Sequence, residues 1–249
     1  MTDSEETALP TELSEQQLPE RKPRRRWAIW LRDLTVVLLI AILVSAVTKT
    51  FFLRSFYIPS SSMEATLQVE DRVLVNVLVP GVVALNHGDV VVFDDRAGWL
   101  AGYPKEDKDW WSSAVSWFQE FIGFSGDDAN EYLIKRVIGL PGDHVTCCNV
   151  SGEIEINGQP IDESEYLKIP LSQKEASLIP FDRTVPEGYI FVLGDNRNDS
   201  ADSRYHEANP GDGFVSIDAV VGRAFVVSWP MKRWKWLDNY EHVYANTER

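Results

Sequence analysis

Two hydrophobic patterns divide the chain. The first is a run of 15 uncharged residues from Leu34 to Thr48 (LTVVLLIAILVSAVT). That is short of the ~20 apolar residues a helix needs to cross a ~30 Å hydrocarbon core. The flanks supply the rest, with Trp27, Ile29, Trp30 and Leu31 before the run and Phe51, Phe52 and Leu53 after it. Arg32 and Lys49 are long enough to snorkel towards the two interfaces. Arg21, Lys22, Arg24, Arg25 and Arg26 precede the run. A buried helix rarely follows such a cluster, and no Ala-x-Ala-like cleavage site comes after it. A retained transmembrane anchor over residues 27–53 is therefore preferred to a core helix or a cleaved leader. The basic cluster predicts a cytoplasmic N-terminus, with residues 54–249 outside. Residues 1–20 are polar and acidic, so 1–26 is read as a disordered tail ending in the basic cluster.

The second pattern is short alternation. In Arg72–Val79 (RVLVNVLV), Val73, Val75, Val77 and Val79 share one face. Further strands are predicted over 89–93, 132–138, 153–156, 189–193 and 220–228. Asn157-Gly158 is a hairpin turn signal, and Pro141-Gly142 and Pro186-Glu187-Gly188 mark other turns. No helical pattern alternates with these strands, so a mainly antiparallel β domain is expected. Residues 95–130 break the pattern and read as an insertion. Within it, 110–122 (WWSSAVSWFQEFI) carries a helical stripe of Trp110, Trp111, Ala114, Val115, Phe118, Phe121 and Ile122. This predicts either a helix packed on the β domain or one lying in the lipid interface.

Composition narrows the chemistry. The chain has 249 residues and a net charge of −14, with 44% hydrophobic residues. A sizeable core is possible, and the acidic balance argues against nucleic acid as a partner. The cysteines are one adjacent pair, Cys147 and Cys148, which excludes a disulfide scaffold or a CxxC zinc framework. They are read as a small apolar pair in a strand, with free thiols or an intermolecular bridge as alternatives. The four histidines are scattered, so no metal site is expected. Trp234 and Trp236 suit lipid headgroups or surface packing equally.

Three polar segments stand out. Ile58–Glu64 (IPSSSME) follows the anchor, and its serine triplet alone would pass for a linker. In Tyr132–Asp143 (YLIKRVIGLPGD), Lys135 lies on the strand face of Leu133 and Val137. Such a lysine is either an edge-strand gatekeeper or a desolvated amine able to act as a neutral base. Gly194–Arg204 (GDNRNDSADSR) is a dense polar loop. A calcium site there is opposed by Arg197 and Arg204 and by the lack of a glutamate at loop position 12.

Together these motifs, in the order FYIPSSSMEATL, DRVLVNVLV, GDVVVF, YLIKRVIGLPGD, GDNRNDSADSR and GFVSIDAVVGRAFVVSWP, resemble the type I signal peptidases. These are bacterial membrane-anchored Ser/Lys endopeptidases that remove signal peptides from exported preproteins. The resemblance implies a curved antiparallel β-sheet catalytic domain. It implies Ser62 as nucleophile, Lys135 as general base and Ser60 as side-chain oxyanion donor. Ser200 would orient the lysine amine, and Asp202 and Arg204 would buttress the site. Neither a cofactor nor a metal is implied. Small substrate residues are implied just before the cut and two positions further upstream, with Phe56, Ile58 and Val73 as pocket lining. The implied partners are preproteins, the bilayer and the export channel. The sequence departs from the family where Ser61 and Glu70 stand in place of frequent glycines, Ala65 in place of proline and Val77 in place of lysine.

The competing readings are weaker. A Ser/Lys self-cleaving protease of the SOS-repressor type shares the dyad but would carry a DNA-binding helical unit instead of an anchor. A Ser-His-Asp arrangement using His144 or His206 gives a role to histidines the motifs leave idle. A silent membrane-tethered surface domain would lack the serine or the lysine.

Overall fold

The computed structural model describes residues 26–96, 98–99 and 132–247. The tail over 1–25 and the helical stripe over 110–122 lie outside the described residues. The described chain divides at Val44/Ser45 into a helical unit and a compact unit.

Helix α1 spans Arg26–Phe51. The stretch Trp27–Thr48 is long and apolar enough to cross a membrane, at about 33 Å for its 22 residues. Its leucines, isoleucines and valines are exposed, which suits a helix whose solvent is hydrocarbon. Leu53, counted above with the anchor, instead opens a strand.

The compact unit is mainly antiparallel β. Its strands are β1 (Leu53–Tyr57), β2 (Arg72–Asn76), β3 (Val90–Asp94), β4 (Tyr132–Gly139), β5 (His144–Cys147), β6 (Ile154–Ile156), β7 (Gln159–Ile161), β8 (Phe181–Thr184), β9 (Tyr189–Leu193), β10 (Val215–Ser216), β11 (Val220–Trp229) and β12 (Lys235–Trp236). A short helix α2 (Glu241–Tyr244) follows. One sheet runs β1-β2-β11-β3-β4-β9-β10, with β12 on β11; the other runs β7-β6-β5-β8. All six strands predicted from alternation are present. β2 stops at Asn76 rather than Val79, because the Asn76 side chain accepts the Leu78 N–H at 3.0 Å and turns the chain. Asn157 (φ 55°) and Gly158 (φ 76°) make the two-residue turn between β6 and β7.

Among the described residues, three apolar clusters fill the unit. The one that matters for the site joins Phe56, Ile58, Met63, Leu67, Val73, Val75, Ile134 and Val227. Cys147 is buried at the end of β5, and its sulfur is bonded to that of Cys148, so the pair is a disulfide rather than two thiols. Trp234 and Trp236 are exposed.

Candidate active site

Ser62 lies in the loop between β1 and β2, fixed by its neighbours. Met63 and Leu67 are fully buried. The Thr66 and Leu67 N–H groups donate to the Met63 carbonyl at 2.8 and 2.6 Å. A tight turn is thus pinned to the core one residue after the serine. Ser61 does not adopt the left-handed conformation that would call for glycine, whereas Glu70 does, with φ 75°. Of the two glycine departures, only Glu70 carries a backbone cost.

Lys135 lies in β4, between β3 and β9 and opposite Val91. It is an interior lysine, not an edge gatekeeper, and is 3% exposed. Its Nζ is 2.8 Å from Ser62 Oγ and 3.0 Å from the Ile134 carbonyl. Burial lowers its pKa to about 8, against the upward pull of Asp202 and Asp195. Ser60 Oγ, at the exposed mouth, is 3.1 Å from Ser62 Oγ.

The Gly194–Arg204 loop closes on this pair. The Asn196 N–H donates to the Ser62 carbonyl at 3.0 Å, and its Nδ2 donates to the Ser61 carbonyl at 3.1 Å. Ser61 Oγ donates to Asp199. A Cβ at Gly194 would overlap Ser200 Oγ and the Ser62 carbonyl oxygen. Ser200 is therefore brought beside Ser62, but its buried hydroxyl has no hydrogen-bond partner, and the contact with Lys135 that the motif implies is not made.

Buried arginine–carboxylate pairs hold the loop. Arg204 binds Asp202 through Nε and Nη2, both at 2.7 Å, and Asp202 accepts the Gly194 N–H at 3.0 Å. Arg204 Nη1 donates to Ser177 Oγ at 2.9 Å. Two further pairs were not singled out from sequence. Arg136 binds Asp195 at 2.8 and 2.7 Å and also reaches Thr66 Oγ1 at 3.1 Å. Arg197 binds Glu163 at 3.0 and 2.9 Å. Arg136 and Arg197 are held firmly protonated by these carboxylates despite burial. Arg136, Asp195 and Arg197 sit inside the quoted motifs, so the signal was present; Glu163 carries no local pattern that marks it.

Phe56, Ile58 and Val73 pack in the core beneath the Ser62 loop, at 7%, 2% and 0% exposure. They form its floor and offer almost no free surface.

The fold and the site define the class, a serine endopeptidase with an apolar N-terminal helix. Comparison with known proteins gives the family. The family described as "Signal peptidase, peptidase S26" matches residues 31–229. Signal peptidase I of Mycobacterium tuberculosis is 36% identical over 86% of this chain and 77% of its own length. The probable signal peptidase I of Mycobacterium leprae is 34% identical over 91% and 86%. A crystal structure of a signal peptidase I from Enterococcus faecalis is 25% identical and covers 56% of this chain and 95% of that one, with a TM-score of 0.34. The chain belongs to the signal peptidase family, peptidase S26.

Proposed function

We propose that this protein cleaves N-terminal signal peptides from exported preproteins, with Ser62 as nucleophile and Lys135 as general base. The observation that carries this reading is the 2.8 Å contact between the two groups, inside a site that lowers the lysine pKa. A serine hydroxyl attacks a peptide carbonyl well only when a base takes its proton. Neutral Lys135 accepts that proton as Ser62 Oγ bonds to the carbonyl carbon. The resulting ammonium then gives it to the departing amine of the mature protein as the C–N bond breaks. Water, deprotonated by Lys135 in turn, hydrolyses the acyl-enzyme and frees the signal peptide.

The Ser60 hydroxyl and the Ser62 N–H are the oxyanion donors in this scheme. Such a donor is commonly worth ~2.7–4 kcal/mol of activation free energy. In this scheme Ser200, whose hydroxyl has no partner, takes up the lysine amine once Ser62 is acylated. Asp202 and Arg204 set the loop that carries it. The preference for small residues at the cut is carried over from the family resemblance; Phe56, Ile58 and Val73 support the Ser62 loop from within the core.

The protein is membrane-anchored through α1. We place residues 1–26 in the cytoplasm and 54–249 outside, where preproteins emerge from an export channel. The full-length protein in detergent, given a preprotein with alanine before the cut, is expected to release one mature N-terminus by mass spectrometry. Phenylalanine at that position should prevent cleavage. Equal cleavage of both substrates, or retained cleavage by Ser62→Ala, would overturn the reading.

A further inference from the structure

The family match ends at residue 229, yet the chain beyond it is built into the core beside the site. Tyr244 and Thr247 are buried. Asn157 Nδ2 donates to the Thr247 carbonyl at 3.0 Å, and the Tyr244 ring stacks on His87 with centroids 5.5 Å apart. Gly88 has φ +76°, and a Cβ there would overlap the Asn239 carbonyl. The same Gly88 accepts Arg136 Nη1 on its own carbonyl at 2.6 Å.

The Tyr244 hydroxyl meets that of Tyr166 at 2.5 Å. Tyr166 donates to Glu163 Oε1 at 3.0 Å. A phenol has one proton, so Tyr244 is the donor to Tyr166. Two routes lead from Tyr166 to the site. Along the first, Glu163 binds Arg197, whose Nε donates to the Gly194 carbonyl at 3.2 Å. Along the second, the Tyr166 ring lies under Arg136, with Cζ 4.2 Å from its centroid, and Arg136 grips Asp195. Both routes end on residues 194–196, and the Asn196 N–H holds the Ser62 carbonyl.

We propose that Tyr244 is a positioning residue for catalysis, its hydroxyl fixing Tyr166 so that Tyr166 seats the 194–196 loop against Ser62. The inference rests on the Ser62/Lys135 reading. Without that hydroxyl, Tyr166 keeps its bond to Glu163 and its contact with the Tyr240 ring, 5.0 Å away, but loses its second hydroxyl partner, and its ring is fixed less firmly under Arg136. Arg136 then covers the Asp195 charge less well. Asp202 and Asp195 already pull the Lys135 pKa upward, and His206 also senses the Lys135 charge. Less coverage of Asp195 therefore raises the pH at which Lys135 loses its proton.

The test compares Tyr244→Phe, Tyr166→Phe and the double variant of the full-length protein in detergent, with Ser62→Ala alongside. Tyr244→Phe should lower kcat about three- to tenfold, the worth of one buried hydrogen bond, with KM unchanged. Its kcat–pH midpoint should move up by about 0.3 unit or more. The double variant should lose no more than Tyr166→Phe alone. A Tyr244→Phe enzyme with a lowered melting temperature but parental kcat and pH midpoint would overturn the proposal, as would losses that multiply in the double variant. Cleavage by Ser62→Ala would sink the dyad instead, whatever the tyrosine variants do.

Discussion

Lys135 Nζ lies 2.8 Å from Ser62 Oγ, although the two residues come from an interior strand and from a loop on the far side of the sheet order. β4 brings the amine into the core, and Met63, buried next to Ser62, brings the hydroxyl down to it. The contact joins a group that must lose its proton to work with a group that must give one up.

Ser62→Ala and Lys135→Met should each lower kcat more than about a thousandfold, the scale seen when a catalytic unit loses a member. Their stabilities should differ from what lost contacts alone suggest. Lys135→Met replaces a desolvated amine by an apolar chain of similar length, so its melting temperature should equal or exceed the parent's. Lys135→Arg should also be inactive, because a guanidinium stays charged, and it should melt lower for the same reason. Activity measured beside thermal melts checks all three.

The pH dependence follows from the lowered lysine pKa. With a value of about 8, Lys135 is neutral in about a tenth of molecules at pH 7. kcat should therefore rise tenfold per pH unit on the acid side and level off above about pH 8. For stability, the unfolded lysine holds its proton up to its ordinary value of 10.5, the folded one only to about 8. Between these values the unfolded chain binds more protons, so the lysine's contribution to stability improves as pH rises through this window. Below about pH 8 both states are protonated and the penalty is constant at about 3 kcal/mol. A kcat profile flat from pH 6 to 9 would contradict the assignment.

What the sequence reveals depends on the range of the physics. Strands such as β9 and β11 announce themselves because one face is buried and the alternation is local. β5 and β8 are short, and their pairing of Thr146 with Asp182 is set by a neighbour 36 residues away. The Ser62 and Lys135 assignments were legible through motif order. Their electrostatic frame was legible only in part: the Arg204–Asp202 pair follows from the motif, whereas Glu163 is matched to Arg197 only by the folded chain. The implied Ser200–Lys135 contact is not made: the Ser200 hydroxyl lies beside Gly194 with no hydrogen-bond partner.

Glu70 offers a stability test away from the chemistry. Its φ of 75° costs a side-chain-bearing residue roughly 1–2 kcal/mol, while glycine there loses only its extra backbone freedom, roughly 0.5–1 kcal/mol. Glu70→Gly should therefore stabilise the compact unit by about 0.5–1 kcal/mol. The Glu70 N–H bond to the Ile58 carbonyl, 2.9 Å, is kept in either case. kcat should stay at the parental value. A destabilised glycine variant in urea unfolding would refute this.

The Arg136–Asp195 pair gives the sharpest separation of stability from catalysis. Both side chains are essentially unexposed, and Arg136 also donates to the Gly88 carbonyl. Arg136→Met leaves the Asp195 carboxylate buried with Thr66 Oγ1 as its remaining side-chain donor, at 2.5 Å. Breaking such a pair from one side typically costs about 3–5 kcal/mol. Asp195→Asn leaves the arginine charge buried and should cost a similar amount. The double variant, Arg136→Met with Asp195→Leu, removes both charges, and it should recover most of the lost stability because desolvation is relieved along with attraction. Its activity should not recover in step. Asp195 helps hold Lys135 protonated, so removing it lowers the kcat–pH midpoint. The 194–196 loop also loses the anchor that presents the Asn196 N–H to the Ser62 carbonyl. The double variant should thus melt near the parent, titrate at a lower pH than the parent and reach a lower maximal kcat. Parental kcat in that variant would mean that the pair serves the fold alone.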